Sequence, residues 1–143
     1  MKAVVRAVAR RVGHRGAVLI LLGCIALLYG ISLITTPPLP NPPGLRLLLD
    51  RMSLHGWGAT LAAAGVIAIL SAPLSQGRDW PGFAALTLVW LPWSLSFLVS
   101  WWPDGSNPRG WVSALVFAAL ALVPAVCATW EEPLPGQRVR SRK

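Results

Sequence analysis

Charged side chains are scarce in this sequence of 143 residues. Asp, Glu, Lys and Arg make up only 13% of it, whereas hydrophobic residues make up 55%. A typical soluble domain carries about 25% charged residues. The shortage therefore argues against an ordinary soluble domain. Four apolar runs use up most of the chain and leave too few residues for a separate soluble core.

Residues that carry out catalysis or bind metals are also few. Cys24 and Cys127 both lie in apolar runs without a CxxC pattern, so they are interpreted as packing residues. His14 and His55 fall on opposite sides of the predicted membrane topology and cannot share one metal. Paired carboxylates, a glycine-rich phosphate loop and a nucleophile elbow are missing. We therefore expect no enzyme activity, no catalytic, cofactor-binding or metal-binding residues, and no cofactor.

The predicted spans contain no Asp, Glu, Lys or Arg. Transporters usually place such groups within the membrane, so their absence argues against a proton-coupled transporter. The polar groups inside the spans are mainly hydroxyls, which commonly hold helices together. Asp104, Ser106 and Asn107 lie in a turn that favours such residues, and we assign them no catalytic role.

Tryptophan marks the dimensions of the longest apolar run. Trp80 and Trp101 are 21 residues apart with no charged residue between them. At the helical rise this separation is about 32 Å, close to the roughly 30 Å of a bilayer's hydrocarbon core. Because Trp favours the headgroup level, Trp80 marks one membrane face, and Trp101 and Trp102 mark the other. Trp111 then begins the next apolar run from that second face.

The apolar runs predict an all-α integral membrane protein, an antiparallel bundle of four transmembrane helices. The whole chain, 1–143, is interpreted as a single membrane domain. It comprises a basic arm at 1–15, spans at about 16–36, 54–74, 80–102 and 110–130, and a basic tail at 131–143.

The distribution of Lys and Arg predicts the orientation. If both termini face the cytoplasm, ten of these residues lie inside, and only Arg46, Arg51 and Arg109 lie outside. Under the positive-inside rule, the chain belongs in the inner (cytoplasmic) membrane with both termini cytoplasmic. The basic termini are expected to contact anionic lipid headgroups, because no nucleic-acid-binding motif accompanies them.

The connection between the first two spans is rich in proline. Asn41 is placed to cap a helix that begins with Pro42 and Pro43. A short amphipathic helix at the outer interface is predicted, either separate from the second span or continuous with it. Its apolar side comprises Leu45, Leu48, Leu49 and Met52.

Small residues recur on one side of several spans. Gly16, Gly23 and Gly30 form a glycine stripe on the first span, and Gly58, Ala62 and Gly65 are its expected complement on the second. An alternative use of the glycine stripe is self-association. The fourth span carries an alanine stripe, formed by Ala114, Ala118, Ala121, Ala125 and Ala128.

Pro92 interrupts the third span. It removes one backbone hydrogen bond and frees the Leu88 carbonyl, so we expect a kink, with Ser94, Ser96 or water donating to that carbonyl. Trp90 and Trp93 flank the proline at membrane depth. Core packing is the favoured interpretation of both, and the lining of a lipid or ligand groove is the alternative.

Two basic segments flank the spans: RRVGHRG before the first span and RVRSRK at the end of the sequence. The sequence contains eleven Arg but only two Lys. The architecture and composition resemble small multi-pass membrane proteins of actinobacteria and their phages, including holins. Holins have one to four spans and open membrane lesions that release a cell-wall enzyme. The leading hypothesis is a non-catalytic scaffold or accessory subunit, possibly phage-encoded and associated with itself or with another membrane protein. The alternative is a holin-type lesion protein.

Overall fold

The protein is described by a computed structural model that covers residues 13–37, 44–75 and 77–130. Within these ranges the chain forms helices and no strand, which confirms the predicted all-α class. The helices are α1 (His14–Thr35), α2 (Arg46–Leu49), α3 (Leu54–Ser71), α4 (Trp80–Trp101) and α5 (Gly110–Ala128). All but α2 are long and apolar enough to cross a membrane. The basic tail and most of the basic arm lie outside the described residues.

The helix ends differ from the predicted spans by at most three residues. The largest difference is at α3, which ends at Ser71 because Pro73 cannot donate the next backbone hydrogen bond. The most consequential difference is at α1, which begins at His14 and so includes Arg15. The helix that contains the first candidate span therefore has a charged residue in its first turn, although the predicted span, about 16–36, contains none.

Glycines bring α1 and α3 into close antiparallel contact. A Cβ at Gly23 would lie 2.9 Å from the carbonyl oxygen of Gly65. A Cβ at Gly30 would lie 2.5 Å from the carbonyl oxygen of Gly58 and from the nitrogen of Ala62. No side chain fits at these distances, so both positions require glycine. The predicted pairing of the glycine stripe with small residues of the second span is confirmed at Gly23 and Gly30.

Hydroxyl groups and alanines join α4 to α5. Thr87 Oγ1 donates to the Ala121 carbonyl at 3.1 Å, and Ser94 Oγ donates to the Ala114 carbonyl at 2.9 Å. Ala114 and Ala121 are buried, and the remaining members of the alanine stripe are half-buried. The alanine stripe is therefore used in part for packing within the chain.

The bundle consists of these two closely packed pairs, which meet mainly where α3 contacts α4. Gly82 allows the contact, since a Cβ there would lie 2.8 Å from the Ser71 side chain. Leu19, Leu61 and Leu86 are fully buried where α1, α3 and α4 converge. Large apolar side chains cover the outer surface, as expected of helices in contact with lipid.

The predicted short helix between the first two spans is present as α2, but its length and its surroundings differ from the prediction. The helix α2 has only four residues, and Leu48 is buried in the bundle rather than resting on a membrane surface. Ser53 is extended, and its hydroxyl accepts a hydrogen bond from the Gly56 backbone N–H at 3.2 Å, which caps α3. A helix continuous with the second span is therefore excluded. The proposed cap at Asn41 lies outside the described residues.

Candidate functional site

A buried ion pair lies at the end of the bundle where α1 and α4 begin. Arg15 Nε donates to Asp79 Oδ2 at 2.8 Å, and a second guanidinium nitrogen donates to Asp79 Oδ1 at 3.0 Å. Arg15 is 6% exposed and Asp79 is 3% exposed. This two-point geometry is the one in which a planar guanidinium best matches a carboxylate. Each charge is therefore compensated out of contact with water.

The same guanidinium also contacts the last turn of α5. Arg15 Nη1 donates to the Ala128 carbonyl at 2.9 Å and to the Trp130 carbonyl at 2.6 Å. Carbonyls at a helix end lack partners within their own helix and favour a nearby cation. Arg15 also lies over the Phe83 ring, 5.1 Å from its centroid. One side chain thus ties the starts of α1 and α4 to the end of α5.

Sequence analysis missed this pair. Arg15 was assigned to the basic arm at 1–15, and no role was predicted for Asp79, which lies 64 residues further along the chain. Local sequence gives the sign of each charge, but their pairing depends on how the helices are arranged in space. The available signal was Asp79 itself, an acidic residue at a helix start on the face that is otherwise rich in Arg.

The serines near Pro92 do not act as predicted. Ser94 donates to α5, and Ser96 Oγ donates to the Gly44 carbonyl at 2.6 Å. Both hydroxyls hold neighbouring segments in place instead of replacing the hydrogen bond that Pro92 removes. Of the donors expected for the Leu88 carbonyl, the two serines are therefore excluded, and the expected role of hydroxyls in joining helices is confirmed for Thr87 and Ser94.

Aromatic rings fill the interior near the middle of α4. Trp90 is 1% exposed and Trp93 is 0% exposed, which confirms that both are core residues. Together with rings from α1, α3 and α5 they form what we call the aromatic cluster. It comprises Tyr29, Trp57, Trp90, Trp93, Phe97 and Phe117. Within this cluster, the indole Nε1 atoms of Trp90 and Trp93 have no hydrogen-bond partner.

The other candidate residues remain apart. His14 and His55 are exposed at the starts of the antiparallel helices α1 and α3, hence at opposite ends of the bundle. Cys24 is exposed and Cys127 is buried. Within the described ranges, His, Cys, Asp and Glu form no group of three or more that could hold a metal ion.

The turn between α4 and α5 uses its polar groups locally. Ser106 Oγ donates to Asp104 Oδ2 at 2.8 Å, and the Asn107 backbone N–H donates to the Ser100 carbonyl at 3.0 Å. These contacts fix the shape of the turn, which accounts for the residue types found there.

The fold and its internal polar contacts define the class as a multi-pass helical membrane protein with four candidate spans. Comparison with protein-family models finds no match, and comparisons with curated proteins and with solved structures find none either.

Proposed function

We propose that the chain is a non-catalytic scaffold or accessory subunit of the inner (cytoplasmic) membrane, with both termini in the cytoplasm. One observation carries the proposal: a buried ion pair and three helix hydroxyls have their partners within the chain. Arg15 and Asp79 neutralise each other, and Thr87, Ser94 and Ser96 donate to backbone carbonyls. Groups engaged in this way build a stable bundle and do not face a reacting molecule or a water-filled path.

The contacts of the two small-residue stripes favour the accessory role over the holin alternative. A lesion-forming protein needs helix faces through which copies assemble. In this chain Gly23 and Gly30 are occupied by α3, while Ala114 and Ala121 face α4. The remaining outer surface carries large apolar side chains, which suit lipid better than the wall of an aqueous pore.

Induced expression in a bacterial host, with and without a cytoplasmic endolysin, tests the proposal. Membrane potential and optical density are followed over time, with an established holin as positive control. We expect continued growth and a steady potential while the protein is verified in the membrane. Abrupt depolarisation at a reproducible time, with lysis only when the endolysin is present, would establish a holin and overturn the accessory role.

The neighbouring genes provide a separate test of the two functions that the resemblance implies. An adjacent endolysin gene would favour a holin, whereas adjacent tail or secretion genes would favour an accessory subunit of that machinery.

A further inference from the structure

Two buried hydrogen-bond donors in the aromatic cluster have no acceptor within the protein. They are the indole Nε1 atoms of Trp90 and Trp93. Buried polar groups almost always have a partner, and an unsatisfied one destabilises the fold. Both residues lie near the middle of α4, at the depth where a bilayer offers no water. Two such donors three residues apart indicate that an acceptor comes from outside the chain.

The composition of the aromatic cluster indicates what kind of acceptor fits. Trp and Phe side chains offer no hydrogen-bond acceptor oxygen, and Tyr29 supplies the cluster's one hydroxyl. The third indole N–H, that of Trp57, already donates to the Leu48 carbonyl at 2.9 Å. A water molecule needs acceptors for its own two protons, and among the side chains of the cluster the Tyr29 hydroxyl oxygen is the one acceptor of this kind. The carbonyl oxygen of a ligand, by contrast, has no proton to donate, so the two indole N–H donors satisfy it without any further acceptor.

The rings of the aromatic cluster, which includes both donor residues, pack face to face or at an angle. Phe97 and Phe117 stack with an interplanar angle of 8° and a centroid separation of 5.4 Å. Trp90 and Phe117 stack at 27° and 5.5 Å. Because neighbouring rings already cover these faces, a flat ligand ring fits where two of the rings separate. The cluster contains no ionic side chain, which favours a neutral molecule.

The rings also indicate where a ligand enters. Although α1 and α5 are neighbours, they contact each other far less than α1 contacts α3. Tyr29 from α1 and Phe117 from α5 meet across this seam with centroids 6.2 Å apart. Since the rings pack on one another, entry requires these two side chains to separate. The molecule then arrives sideways from the lipid.

We propose that the aromatic cluster binds a neutral, lipid-soluble carbonyl compound of the quinone class. The ring of the ligand stacks among the aromatic side chains, and its carbonyl oxygens accept hydrogen bonds from Trp90 Nε1 and Trp93 Nε1. The proposal concerns binding alone and involves no electron transfer. It is independent of the accessory role, because a quinone-binding protein can be an enzyme subunit, a carrier or a scaffold.

Binding of decylubiquinone to the full chain in lipid nanodiscs tests the proposal. The amount bound is measured by equilibrium dialysis against empty nanodiscs, which corrects for partition into lipid. Trp90→Phe combined with Trp93→Phe removes both donors and keeps aromatic rings. The matched control combines Trp101→Phe with Trp111→Phe, at residues that are 43% and 46% exposed. Thermal melting of both variants verifies that they fold.

We expect saturable binding of about one molecule per chain, weakened about tenfold or more in the Trp90/Trp93 variant, as loss of two neutral hydrogen bonds implies. The control variant should bind like the wild type, and decylbenzene, which lacks carbonyls, should not compete. Absence of saturable binding, or equal weakening in both variants, would overturn the proposal.

Indole ¹H–¹⁵N resonances give a second readout. The Trp90 and Trp93 signals, assigned from the single variants, should shift on titration with decylubiquinone. Unshifted signals that exchange magnetisation with water would show that an internal water satisfies the donors, which would also overturn the proposal.

Discussion

At the scale of single residues, the Arg15 side chain joins the starts of α1 and α4 to the end of α5. It meets the Asp79 carboxylate at two points and two carbonyls at the end of α5. A Lys at this position carries the same charge but lacks the planar fork that reaches several acceptors at once. Because the pair is buried, substitution of either partner should destabilise the protein, since the remaining charge would be buried without a counter-charge.

Arg15→Gln should therefore destabilise the bundle by about 3 kcal/mol, because it leaves the Asp79 carboxylate buried without its cation. Arg78→Gln is the matched control, since it removes an exposed charge from the turn next to Asp79. The control should change stability by less than about 0.5 kcal/mol. The measurement is the free energy of unfolding in mixed detergent micelles. Equal effects of the two variants would show that the free energy of unfolding depends on net charge and not on the buried pair.

At the scale of helices, hydropathy and periodicity predicted most of what the structure contains. The apolar runs located all four long helices, because a span must satisfy its backbone hydrogen bonds internally and cover itself with apolar side chains. The spacing of Gly23 and Gly30 predicted their shared face, since the helical repeat alone places them together. Such features follow from the local chain and need no knowledge of neighbouring helices.

Features that depend on contacts between distant segments were not predictable in the same way. Leu48 is apolar whether it rests on a membrane surface or fills the end of the bundle, so its burial could not be inferred. The donation from Ser96 to the Gly44 carbonyl joins residues 52 positions apart. The aromatic cluster was foreseen only in part, through Trp90 and Trp93, because its other rings come from different helices.

Packing of α1 against α3 leads to a prediction at this scale. Gly65→Leu should destabilise the bundle by about 3 kcal/mol, because a Cβ there would lie 2.5 Å from the Gly23 carbonyl oxygen and 2.6 Å from the Leu27 nitrogen. Ala59→Leu places the same side chain at an exposed position of the same helix and should be nearly neutral. Unfolding in mixed micelles measures both. If the two variants unfold alike, the helices can separate at little cost, and the glycine contact does not hold the pair together.

At the scale of the whole molecule, two observations bear on how the bundle lies in the membrane. The ion pair groups three helix ends at one face, and the charge distribution predicts which side that face occupies. The contacts of Arg15 bring the starts of α1 and α4 and the end of α5 to one face of the bundle. The start of α1 and the end of α5 therefore lie at the same face, whichever side of the membrane it occupies. The excess of Lys and Arg near the termini and at Arg78 predicts that this face lies toward the cytoplasm.

Accessibility of single cysteines to a membrane-impermeant thiol reagent tests this orientation. After Cys24→Ala and Cys127→Ala remove the native thiols, Arg78→Cys and Arg109→Cys place one thiol each on opposite faces of the bundle. Both positions are exposed, and each substitution removes one positive charge, so the two variants are matched. In intact cells the reagent should modify Arg109→Cys, whereas Arg78→Cys should react only after permeabilisation. The reverse pattern would place the basic face outside, and it would mean that the ten-to-three bias in Lys and Arg does not determine how this bundle inserts.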